Sequence, residues 1–63
     1  MSVKRRDIIR YFKKCGVLFE REGGNHSIFV NANGRRIPVG RHSTFTRLEA
    51  NMLCREAGIP PIF

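Results

Sequence analysis

Sixty-three residues with twelve Lys and Arg, five Asp and Glu and a formal charge of +7 leave room for one domain, residues 1–63, and for no deep pocket. The basic excess, with a pI near 10.8, points to nucleic acid, an acidic protein or an anionic membrane. No apolar run approaches the roughly 20 residues of a spanning helix, and no signal-peptide core follows the N-terminal charges. A reducing, cytoplasmic setting is therefore expected, with Cys15 and Cys54 as small core residues, since no CxxC spacing pairs them on a metal.

Residues 4–15 predict a helix. Ile8, Phe12 and Cys15 recur at i, i+4 and i+7, Ile9 widens the stripe, and Arg5, Arg6, Arg10, Lys13 and Lys14 fall largely elsewhere. Gly16 suits the residue just past the helix end. Residues 17–22 alternate as a strand with apolar side chains on both faces at its start, so the core-facing side stays open. Gly23-Gly24 breaks this strand and residues 26–31 form a second, antiparallel to the first. Asn33-Gly34 is the signal for a two-residue hairpin turn into a third strand, 35–39, which Pro38 either places at a sheet edge or ends. After a loop with Gly40, Arg41 and His42, Thr46 and Glu49 spell a capping box. Ala50, Leu53, Cys54 and Ala57 continue as a helical face that Gly58 and Pro60-Pro61 end. Phe12, Phe19, Phe29 and Phe45 are expected in the core, while Phe63 is expected to fold back or to meet a partner.

The order α-β-β-β-α predicts an α+β fold. Its three-stranded antiparallel sheet carries both helices on one face, the architecture of double-stranded-RNA-binding domains. Architecture alone does not assign function.

His26 is the first chemical candidate, because imidazole exchanges protons near neutral pH and a glycine pair delivers it to a strand start. A strand-capping histidine is the structural alternative. Ile28 and Val30 share its parity, which points it toward the core, although the glycine bend weakens that inference. RNA carries its own nucleophile, the 2′-hydroxyl, so a proton-transfer residue on a cationic surface suffices for cleavage to a 2′,3′-cyclic phosphate. Arg21, Arg36 and Arg41 are the candidate phosphate ligands. Ser27 either orients RNA or faces solvent, and His42 is either a backbone-bonding loop residue or a second proton-transfer group. No Asp/Glu cluster awaits Mg²⁺, so no metal or cofactor is expected. The residues leave open three functions: a metal-independent ribonuclease, a non-catalytic duplex-RNA-binding module, and an adaptor for an acidic protein.

With these elements placed, the chain resembles the HicA toxins, small mRNA interferases of bacterial and phage toxin–antitoxin pairs. The resemblance lies in the Lys13-Lys14-Cys15-Gly16 helix end and in Gly24-Asn25-His26, where the family usually shows Gly-Ser-His. It continues through the Asn-Gly hairpin with Arg35-Arg36-Ile37, then Val39-Gly40-Arg41-His42, and the closing Ala57-Gly58-Ile59. It implies His26 as catalytic histidine, ribosome-independent cleavage of mRNA, and a HicB-type antitoxin that blocks the site. The chain departs from the family at Asn25, where serine is common, and at Ser27, where many members carry a second histidine.

Overall fold

A computed structural model describes residues 2–63. The chain runs β1 (Ser2–Lys4), α1 (Arg5–Lys14), β2 (Leu18–Glu22), β3 (His26–Val30), β4 (Arg36–Gly40), β5 (Thr44–Thr46) and α2 (Arg47–Glu56). Strands β2, β3 and β4 form an antiparallel sheet in that order, and β1 pairs with β5 in a separate two-stranded ladder. The predicted α+β arrangement holds, with both helices on one face of the three-stranded sheet. One apolar cluster joins Ile8 and Phe12 of α1 to Phe29, Ile37 and Val39 of the sheet, and to Ala50 and Cys54 of α2.

Alternation assigns the faces. Ser27 and Phe29 of β3 are buried, as are their cross-strand partners Val39 and Ile37 on β4. His26, Ile28 and Val30, opposite Gly40, Pro38 and Arg36, therefore lie on the outer face. The parity argument that drew His26 toward the core is thus reversed. Ser27, expected either to orient RNA or to face solvent, is a core-facing residue 2% exposed.

Several boundaries and environments also differ from expectation. Lys4, predicted as the helix start, ends β1, where Val3 pairs with Phe45. A three-residue strand is too short to show alternation, so only its partner reveals it. The Asn-Gly turn is not the expected two-residue type, because only Gly34 takes a positive φ, of 81°. Gly34 N–H donates to the Asn31 carbonyl and Asn31 N–H to the Arg35 carbonyl, the longer turn that ends in a left-handed glycine. Phe19 is 53% exposed, because its strand is the sheet edge beyond the reach of α2, although its ring meets Phe29 edge-on at 5.7 Å. Cys15 is half-buried while Cys54 is fully buried.

The second helix opens as its sequence specifies. Thr46 Oγ1 accepts from Glu49 N–H at 3.1 Å and Glu49 Oε1 accepts from Thr46 N–H at 2.7 Å. Pro38 lies on the edge strand β4, where a missing N–H breaks no inner ladder. Phe63 folds back: its ring meets Tyr11 edge-on at 5.7 Å, and Asn51 brackets its backbone with two 2.9 Å bonds.

The burial contrast predicts unequal costs for two phenylalanines. Phe12→Ala, which empties a fully buried site, should cost about 3–5 kcal/mol. Phe19→Ala should cost roughly 1–2 kcal/mol, since about half of its surface already meets water. Urea unfolding of both variants, followed by circular dichroism, measures the difference.

Candidate functional site

The turn between β2 and β3 is held from below by a chain of charge-assisted hydrogen bonds. Glu22, opposite Ser27 on the neighbouring strand, accepts from Ser27 Oγ at 3.0 Å and from Arg41 Nε and Nη2 at 2.9 and 2.6 Å. Arg5, in the first turn of α1, donates from Nη2 to Ser27 Oγ at 2.8 Å and from Nε to the Gly40 carbonyl at 2.9 Å. Arg5 has no acceptor and a carboxylate has no donor, so the Ser27 hydroxyl proton must point at Glu22. The direction of the relay is fixed.

Arg41 extends this chain around the turn. Its Nη1 donates to the Gly24 carbonyl at 2.8 Å, and its Nη2 donates to the Gly23 carbonyl at 2.8 Å and to the His26 carbonyl at 3.3 Å. One N–H at Nε, one at Nη1 and both at Nη2 are thereby engaged, leaving one of the five guanidinium N–H groups free. Gly23 N–H closes the turn on the His26 carbonyl at 2.7 Å. A Cβ at Gly23 would stand 3.0 Å from that oxygen, so close approach requires this glycine. Gly24 has nothing within 4 Å of an added Cβ.

His26 rises from this turn on the opposite, outer face, and its side chain is exposed. Arg21 shares that face, because the bulge between Phe19 and Arg21 sets it opposite Ile28. Arg36, opposite Val30, lies there too and donates from Nε to Glu20 at 2.8 Å. Glu20 also stands 3.8 Å from Arg21. His42 lies at the same end of the sheet, its ring 3.3 Å from where a Cβ on Gly40 would stand and edge-on to Phe45 at 6.1 Å.

Of the residues singled out in the sequence, His26, Arg21 and Arg36 thus share one exposed face, with His42 at its end. Ser27 and Arg41 belong to the support beneath it. Two members of that support, Glu22 and Arg5, carry no motif and were missed. Their only trace in the sequence is a rare carboxylate immediately before Gly-Gly and an arginine that begins a helix.

The carboxylates report the same pairings. The Arg41 guanidinium, and next the Ser27 hydroxyl, hold the Glu22 carboxyl below its usual range. Arg36 does the same for Glu20. Among the described residues no group of three or more His, Cys, Asp or Glu side chains gathers as a metal site, and no helix is long and apolar enough to cross a membrane.

A group whose folded pKa is lowered stabilises the fold above its unfolded pKa and loses that contribution as pH falls through the folded value. The stability gap between the native protein and Glu22→Gln should therefore be full at neutral pH. It should begin to close below the unfolded glutamate value of about 4.3 and vanish once Glu22 is protonated in the folded state. Urea midpoints for both proteins across acidic pH check this, and a gap independent of pH would contradict it.

Residues 5–59 match the family model described as the HicA toxin of bacterial toxin–antitoxin. No curated protein and no solved structure matches the chain.

Proposed function

The chain belongs to the HicA toxin family, the toxin side of a toxin–antitoxin pairing, and from that premise we propose that it is a metal-independent endoribonuclease cleaving mRNA in the cytoplasm. The 63 residues act as one domain. His26 is the proton-transfer residue. The observation that carries this reading is an exposed imidazole on the outer sheet face, at a turn held by Arg41 through Glu22 and three carbonyl oxygens.

The chemistry follows from the substrate. The RNA 2′-hydroxyl attacks the adjacent phosphorus once its proton is removed, and the 5′-oxygen departs. His26, on a rigid strand end, removes that proton with little freedom to lose on approach. Arg21, opposite Ile28, and Arg36, at the far end of the ladder opposite Val30, lie on the same face and offset the phosphate charge along the RNA. The nearest carboxylates, Glu20 and Glu22, are spent on Arg36 and Arg41, which leaves them poor ligands for Mg²⁺ and supports a route through side-chain proton transfer. Arg41 and Ser27 act on RNA indirectly, by fixing the turn that presents His26.

A flat, permanently formed site has no lid of its own. A HicB-type antitoxin therefore controls it by covering the outer face, and an acidic partner surface would be steered there by the +7 charge.

Purified protein and labelled RNA in EDTA test the reading. We expect cleavage to a 2′,3′-cyclic phosphate and a 5′-hydroxyl, slowed at least about 100-fold by His26→Ala. A mobility shift without cleavage would make the chain a non-catalytic RNA-binding module. Undiminished cleavage by folded His26→Ala would remove His26 from the mechanism.

A further inference from the structure

Internal attack on a phosphodiester needs two proton transfers, one from the attacking 2′-oxygen and one to the departing 5′-oxygen. His26 supplies one. Along β4 the residue facing His26 across the ladder is Gly40, the only position of that strand without a side chain. Cross-strand partners hold their Cβ positions about 4.5–5.5 Å apart on the same face. The space that a Gly40 side chain would fill is taken by the His42 ring, with Cδ2 at 3.3 Å and Nε2 at 3.8 Å from the Cβ position. His26 stands opposite Gly40 across the ladder and the His42 ring lies against Gly40, so both histidines belong to the same end of the sheet. Both residues are exposed.

The His42 ring is also seated. Its edge-on contact with Phe45, itself 8% exposed, ties an exposed loop residue to the core. A backbone-capping histidine would be recognised by a hydrogen bond to the chain, and the His42 imidazole makes none among the described residues.

We propose that His42 is the second proton-transfer residue of this site, the general acid that protonates the departing 5′-oxygen while His26 acts as base. This inference rests on the ribonuclease reading of His26. The step balances. The bond from O2′ to phosphorus forms as His26 takes the 2′ proton, the bond from phosphorus to O5′ breaks, and O5′ receives the proton of His42. The products are the cyclic phosphate and a free 5′-hydroxyl, with one proton accepted and one given.

The charged groups near His42 are Glu49 on α2, whose carboxylate is held below its usual range first by its bonds with Thr46, Arg41 beside it in the chain, and Arg5, bonded to the Gly40 carbonyl.

The test pairs two substrates with the native protein, His42→Ala and His42→Asn. One is ordinary RNA, and the other carries sulfur in place of the scissile 5′-oxygen, a leaving group that departs without protonation. We expect a bell-shaped pH profile of kcat/KM for the native protein on ordinary RNA. Both variants should lose at least about 100-fold in rate and the alkaline fall of that profile, yet cleave the sulfur substrate at nearly the native rate. Equal losses on both substrates, or no loss on either, would overturn the role of His42 while leaving His26 cleavage intact. Failure of the native protein to cleave either substrate would overturn the ribonuclease reading and the role of His42 with it. His42→Asn keeps a planar polar side chain against Phe45, so the comparison survives if His42→Ala proves misfolded by circular dichroism.

Discussion

The bonds between Glu22 and Arg41 are the constraint on which the arrangement of the outer face depends. A lone carboxylate at the end of an edge strand receives the guanidinium at 2.6 and 2.9 Å, and the same guanidinium gathers the carbonyls of Gly23, Gly24 and His26. Turn carbonyls point in divergent directions, and only a planar, forked donor satisfies several at once. Lysine would hold one or two of them as a point charge. The pair is exposed to solvent, where a simple ion pair contributes little. Its effect is geometric: a turn with two glycines is tied by its carbonyls to one guanidinium.

That turn is tied to the rest of the fold through Ser27 and Arg5. Ser27 is a polar residue turned into the core, a placement that costs free energy unless its hydroxyl is satisfied. Arg5 and Glu22 satisfy it from either side. Because Ser27 faces inward, strand alternation sends His26 outward, and the core position of one residue decides the exposure of the other. The first turn of α1 thus reaches the site through two bonds, one to Ser27 and one to the Gly40 carbonyl. The bulge in β2 completes the face by bringing Arg21 opposite Ile28.

Much of this fold is legible in the chain. The capping box at Thr46 and Glu49, the i, i+4 stripe of Ile8 and Phe12, and the edge position of Pro38 each follow from local rules, and each is found. What local pattern misses is decided by distant partners. Residues 2–4 pair with residues 44–46 from the far end of the chain, and neither segment is long enough to alternate. The inward side of β3 is not readable from His26, Ile28 and Val30, because Ile28 and Val30 are apolar and yet lie on the outer face. Phe19 looks like core in sequence and is half-exposed because its strand is an edge. The candidate histidines stand out by residue type, but their placement at one end of the sheet does not. It depends on the pairing of His26 with Gly40 and on the His42 ring lying against Gly40, and the bonds of Arg41 to Glu22 and the turn carbonyls depend likewise on partners distant in the chain.

The central claim is that Arg41 serves the turn beneath His26 and does not grip the substrate. Replacing Arg41 with alanine and measuring both turnover at saturating RNA and the salt dependence of RNA affinity separates these roles most directly. Loss of a brace predicts a large fall in kcat with the slope of log affinity against log salt unchanged. Loss of a phosphate ligand would instead lower that slope by about one unit and leave kcat near its native value, and that result would contradict the account.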